Sequence, residues 1–184
     1  RESPMGSHVD RAFLSLGTRP VLAYSMIAFE KCPEIDTVVV VVRRERIDAA
    51  HAVAQMFGCS KVRTVVAGGA QRQGSIEAGL ATLNDEFKFV TVQDASRPCV
   101  TPTLIEETIK SAKRYGSGVA AEACSDSVKE VVKGSSIKRT LDRETLWLAM
   151  TPQSFRIDLL RKGLEAARTR KLTVADDAEA VRSE

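Results

Sequence analysis

Two stretches of this chain place charged and hydroxyl side chains where apolar runs stop. In "VVAGGAQRQGSIEAGL", Val65 to Leu80, an apolar run ends at Gly68-Gly69. A helical pattern follows, with Arg72 and Ser75 near its start. In "VTVQDASRP" a second apolar run ends at Asp94, with Arg97-Pro98 behind it. A glycine pair lets the backbone turn sharply and lets a ligand approach its amides. Free N–H groups at a helix start favour an anion, and arginine adds a planar cationic fork. A carboxylate at the carboxyl end of a buried strand suits Mg²⁺ in nucleotide chemistry, because that ion takes one or two carboxylates plus phosphate oxygens. Each stretch also has a plain reading. The first is a turn with Ser75 as the helix N-cap; in the second, Asp94 caps its own turn and pairs with Arg97.

Groups of this kind need a sheet edge to hold them, and the pattern of the chain predicts one. "TVVVVV", residues 37–42, is a continuous β-branched run of the kind buried on both faces of a sheet. "KVRTVVA", "KFVTVQ" and "SGVAAEA" read as further strands. Helical spacing runs from Pro20 to Lys31 through Leu22, Met26, Ile27 and Phe29, and again over 44–57 before Gly58. "QGSIEAGLATL" is a third helix. "TPTLIEETIKSAKRYG" is a fourth, with Pro102 in its first turn and Gly116 past its end. Strands and helices alternate three times, which predicts an α/β fold with a parallel sheet and helices on both faces. In such a sheet, ligands bind where strands end and helices begin.

The alternation breaks after Cys124. "SDSVKEVVKGSSIKRTLDRETLW" has period-two patterning at Val128/Val131 and Ile137/Leu141, with "KGSS" between the halves. That predicts a β-ribbon over about 125–142. It is rich in charge and poor in apolar bulk, so it projects as an arm, and an arm that cannot bury both faces alone implies a partner subunit. "FRIDLLRKGLEAARTR" then reads as an amphipathic helix and "ADDAEAVRSE" as the start of another. Asp176 and Asp177 read first as caps at that helix start.

Bulk properties exclude several classes. At 184 residues the chain makes one domain with one sizeable core. A net charge of +3 is too small to point to nucleic acid, though it permits local pockets for small anions. The four cysteines, at 32, 59, 99 and 124, form no CxxC pair, and two histidines complete no familiar zinc set. They read as reduced core or near-core residues in a reducing, cytoplasmic compartment. No apolar run reaches the roughly 18–20 residues of a membrane span.

"GGAQRQGSIEAGL", "VQDASRPCV", "DSVKEV", "TLDRETLW" and "MTPQSF" occur in that order. Together they resemble the 2-C-methyl-D-erythritol 4-phosphate cytidylyltransferases of non-mevalonate isoprenoid synthesis, over about Arg11 to Val181. The resemblance implies a mostly parallel, Rossmann-like nucleotide-binding sheet whose β-arm is exchanged across a homodimer. It implies cytidine and ribose recognition at Gly68, Gly69, Arg72 and Ser75. It implies Mg²⁺ and nucleotide contact at Asp94, with Ala95 beside it. Asp126, Ser127, Lys129, Arg143 and Thr151 would bind the methylerythritol phosphate, partly from the neighbouring subunit. The oxygen of that phosphate would attack the α-phosphorus of CTP with no protein nucleophile.

The departures are specific. The family's opening strand and most of its glycine-rich loop have no counterpart here, and "MGS" (residues 5–7) fits the end of that loop. Arg11 falls in the place of a catalytic lysine, keeping the charge but presenting a broad fork instead of a compact ammonium. Pro4 takes the place of a phosphate-binding arginine, Gln93 that of a histidine and Ala70 that of an acid. The chain stops before a segment whose lysine contacts substrate. Two other readings follow: a sister cytidylyltransferase acting on ribitol 5-phosphate, and a lapsed homologue that binds nucleotide or serves as an interaction module.

Overall fold

A computed structural model describes residues 10–132, 136–170 and 176–182. Pro4 and the "MGS" segment lie outside them. The elements begin with a short antiparallel pair, β1 (Ser15–Leu16) and β2 (Arg19–Pro20). Then come α1 (Val21–Lys31), β3 (Val38–Val42), α2 (Ile47–Met56), β4 (Val62–Ala67), α3 (Arg72–Leu80), β5 (Phe89–Val92), α4 (Pro102–Tyr115) and β6 (Ser117–Ala123). The ribbon strands β7 (Lys129–Val131) and β8 (Ile137–Thr140) follow, and β9 (Trp147–Arg156), α5 (Ile157–Thr169) and α6 (Asp177–Arg182) close the order.

Strand periodicity sorts the helices into two layers. Val40 and Val42 of β3 pack with Leu22, Met26, Ala50 and Val53 of α1 and α2. Val41 points the other way, where its methyl would stand 3.1 Å from a Cβ on Gly79 of α3. On β5, Val90 and Val92 join Leu80, Leu160 and Leu164 of α3 and α5. Thr91 faces the opposite layer: its hydroxyl bonds Ser154, which in turn bonds Thr108 of α4. Helices therefore cover both faces, as the alternation predicts. The helix ends also follow the sequence. Thr101 accepts from the Leu104 amide at the start of α4, and Gly116 closes that helix at φ +90°.

β3 and β4 form the parallel pair that the pattern predicts. Among the described residues the other main strands form a separate, antiparallel sheet in the order β5–β9–β6. β9, a ten-residue strand that the sequence pattern does not mark, lies antiparallel between β5 and β6. β6 falls where expected, but its partner is β9. The ribbon is present: β7 and β8 pair antiparallel, with Val131 and Ile137 more than half exposed. The cysteine expectation holds at Cys32 and Cys59, which are buried, and at the half-buried Cys124. It fails at Cys99, which lies in the exposed loop between β5 and α4. No described helix is long and apolar enough to cross a membrane.

Among the described residues, β3 pairs on one edge with β4, and β5 on one edge with β9. A cleft of about 760 Å³ takes in both strands along their length, with Leu22 and Met26 from one helix layer and Ile76 and Leu80 from the other. One end of this cleft carries Arg72, Ser75 and Asp94.

Candidate active site

Asp94 stands two residues past the end of β5, and a set of contacts fixes it there. Its backbone N–H donates to Thr151 Oγ1 on β9 at 3.1 Å. The antiparallel register that pairs Val92 with Gln153 brings this threonine level with the strand end. Behind Asp94 the turn closes on itself, the Arg97 amide donating to the Asp94 carbonyl at 3.0 Å. The Arg97 carbonyl accepts from Ser25 of α1 and from the Gln93 amide. Gln93 thus pins the turn, while its own Oε1 is buried with no partner among the described residues.

The carboxylate of Asp94 meets two guanidinium groups. Oδ1 accepts from Arg72 at 2.6 Å and Oδ2 from Arg97 at 3.2 Å. The plain reading of Asp94, a pair with Arg97, is therefore real, and it is only part of the arrangement. The second arm of Arg72 reaches Asp177 Oδ2, also at 2.6 Å. Asp177 is almost fully buried, with 3% of its side chain exposed. Burial pushes its carboxyl above the usual range, against the pull of Arg72. For Arg72, burial works against the charge, and Asp177 and then Asp94 outweigh it and hold the guanidinium more firmly protonated. The pair of acids read as caps splits in two. Asp176 does cap, accepting from the Glu179 amide at 2.8 Å, while Asp177 belongs to the site. Sequence alone marks it only as one of two adjacent acids at a helix start; the partner lies 105 residues away.

The β4–α3 turn explains its glycines by proximity. Neither Gly68 nor Gly69 has a positive φ. A Cβ on Gly68 would stand 2.6 Å from Ser75 Oγ, and one on Gly69 would stand 3.0 Å from the backbone of Gly74. The glycines let α3 pack against the strand end. Ser75 is not the helix N-cap: it lies in the first turn of α3, after Arg72, and its hydroxyl donates back to the Gln71 carbonyl at 3.3 Å. Ala95 packs at the edge of the α1–α2 core.

The structure thus brings Gly68, Gly69, Arg72, Ser75, Asp94, Ala95 and Thr151 to one edge. The arm residues lie apart. Arg143 donates to the Ser125 carbonyl at 2.8 Å and Lys129 to Thr140 at 2.8 Å, while Asp126 and Ser127 are exposed. No hydrogen bond or ion pair among the described residues joins the arm to Asp94 within one chain. Arg11 is exposed in a single turn, Arg11–Phe13, that Asp10 caps.

One carboxylate near a cleft suits a metal that arrives already carrying phosphate oxygens. It does not suit a resident ion held by protein alone, since the described residues contain no cluster of three metal-ligating side chains.

The family model for 2-C-methyl-D-erythritol 4-phosphate cytidylyltransferase matches residues 2–184. The chain belongs to this family. It is 37% identical over 172 residues to the 2-C-methyl-D-erythritol 4-phosphate cytidylyltransferase of Dehalococcoides mccartyi (strain ATCC BAA-2266 / KCTC 15142 / 195), covering 94% of this chain and 74% of that protein. It is 36% identical over 178 residues to that of Geobacter metallireducens, covering 95% and 76%. The crystal structure of the Thermus thermophilus cytidylyltransferase superposes with a TM-score of 0.75 at 28% identity, over 94% of this chain and 78% of that one. A 4-diphosphocytidyl-2C-methyl-D-erythritol synthase from Anaerococcus prevotii shares the fold, with a TM-score of 0.86 at 24% identity, over 97% and 78%.

Proposed function

We propose that this chain transfers a cytidylyl group from CTP to 2-C-methyl-D-erythritol 4-phosphate and releases pyrophosphate, a step of non-mevalonate isoprenoid synthesis. The observation that carries the proposal is the gathering of Asp94, past the end of β5, with Arg72, Ser75 and the Gly68-Gly69 turn, past the end of β4, in a chain of this cytidylyltransferase family. In the reaction a phosphate oxygen of the polyol attacks the α-phosphorus of CTP in line. The new O–P bond forms as the bond to the β-phosphate oxygen breaks, and pyrophosphate carries that electron pair away.

The chain's own groups bind, orient and neutralise. The backbone at Gly68-Gly69 reads the pyrimidine edge, and Ser75 and Arg72 face the ribose and phosphates. Asp94, with Ala95 beside it, lies where a metal–triphosphate enters. A Mg²⁺ bound there supplies charge neutralisation and alignment of the phosphate oxygens. Asp94 would hold it, once a guanidinium gives up one carboxylate oxygen. Arg11 brings positive charge toward the α-phosphate. Thr151 fixes the Asp94 amide and retains a hydroxyl proton to donate to the polyol phosphate. Asp126, Ser127, Lys129 and Arg143 complete the polyol site from the arm of a second subunit in a homodimer, working in the cytoplasm.

Nucleotide choice tests the proposal. A ligand that binds only the native state raises its melting temperature by mass action. With Mg²⁺ present, CTP should raise it far more than ATP or GTP at equal concentration, because backbone recognition of a pyrimidine leaves little room for a purine. Equal shifts from all three nucleotides would contradict the cytidine assignment.

A further inference from the structure

Asp177 has no part in the substrate contacts proposed above, yet it is the most buried charged group at the site. This acid, on the last helix and with 3% of its side chain exposed, has one charge partner within bonding distance among the described residues, and that partner is Arg72. Arg72 spans from this anchored carboxylate to Asp94, with both contacts at 2.6 Å. The two ends differ: Asp94 is 30% exposed at the mouth of the cleft, while Asp177 is shut away from water. A cation arriving from the cleft therefore competes for Asp94 and leaves the Asp177 end intact.

We propose that Asp177 is a positioning residue. It holds Arg72 by one arm of the guanidinium, so that the other arm neutralises Asp94 before ligand binds and turns to the triphosphate when the metal–nucleotide takes Asp94. The inference rests on the nucleotide-site reading given above. The planar fork is what makes the arrangement work. One arm stays bonded while the other is exchanged, which a single ammonium cannot do. Asp177 never touches the nucleotide and acts through Arg72 alone. The hold also ties α6 to the site, and α6 is itself seated closely, since Gly163 of α5 leaves no space for a Cβ beside the Ala180 carbonyl.

A double-mutant cycle on the whole protein tests this, with the dissociation constant of Mg·CTP read by calorimetry and the KM values for CTP and polyol phosphate read separately. Arg72→Gln and Asp177→Asn should each weaken Mg·CTP by about tenfold, and the double variant should be no weaker than Arg72→Gln alone, as coupled residues in one network behave. The KM for the polyol phosphate should stay within about twofold, which a general loss of folded protein would not give. Additive losses, or an Asp177→Asn protein that binds Mg·CTP like the parent, would overturn the inference. Should the asparagine variant not fold, Asp177→Glu carries the test. It keeps the charge but displaces the guanidinium by a methylene, and parental affinity in that variant would overturn the positioning role equally. If Arg72→Gln itself leaves Mg·CTP binding unchanged, the nucleotide-site reading fails, and the failure is distinguishable from that of Asp177 alone.

Discussion

Asp94 is held through its carboxylate by Arg72 and Arg97 and through its amide by Thr151. These contacts orient the carboxylate with little bearing on stability, since its side chain is 30% exposed and exposed ion pairs contribute about 0–1 kcal/mol. Asp94→Ala should therefore leave the melting temperature nearly unchanged and reduce turnover well below a tenth of the parent value, since losing a metal's charge stabilisation costs several kcal/mol. Steady-state turnover beside a thermal melt checks both halves; activity above about a tenth would remove Asp94 from the metal role. At this scale Asp94, Arg72 and the glycine pair were legible because strand ends and turns announce themselves locally. Asp177 was not. A carboxylate at a helix start reads as a cap, and only the three-dimensional return of α6 to α3 shows that Asp176 caps while Asp177 pairs. Ser75 misled in the opposite direction, a hydroxyl near a helix start that is not its N-cap.

Among the elements, β3, β4, β5, α4 and the ribbon follow from their periodicities, and α4 even from its caps. β9 escaped because its sequence contradicts its role. Pro152, a residue that central strands disfavour, lies inside it, and only residues 151–155 are buried, the first half of the strand being largely exposed. β9 nevertheless sets Thr151 opposite Asp94 and separates β5 from β6, so the site depends on the element least visible in the sequence. α6 gives a second case of an element controlling the site at a distance. A Cβ on Gly163 would stand 2.4 Å from the Ala180 carbonyl oxygen and 2.7 Å from its carbon, so α6 must move to admit it. Gly163→Ala should destabilise the protein by about 1–3 kcal/mol, the usual range for overpacking. It should also weaken Mg·CTP binding, though it touches no ligand. Chemical denaturation with calorimetry checks this. A variant with parental stability and affinity would show that α6 can shift without disturbing Asp177.

At the scale of the molecule, the arm is the feature a single chain does not explain. Val131, Val132 and Ile137 on the ribbon and Trp147 and Leu148 on β9 are all exposed, and the arm residues assigned to the polyol phosphate make no bond to the Asp94 cluster among the described residues. The proposed symmetric dimer that exchanges arms would account for both facts. Mixing an Arg143→Ala protein with an Asp94→Ala protein should restore activity, because half the sites of each mixed dimer hold both intact groups. Labelled chains first establish that subunits exchange; mixed dimers with no activity above the separate variants would make the arm intramolecular or purely structural. The central claim, cytidylyl transfer to the methylerythritol phosphate, has its most direct test in the product itself. The protein is incubated with CTP, Mg²⁺ and 2-C-methyl-D-erythritol 4-phosphate, and the phosphorus spectrum is followed. The account predicts a new diphosphate diester with two coupled phosphorus signals, appearing in step with one equivalent of pyrophosphate, and little reaction when ribitol 5-phosphate replaces the polyol. Preference for ribitol 5-phosphate, or CTP left intact with either acceptor, would contradict it.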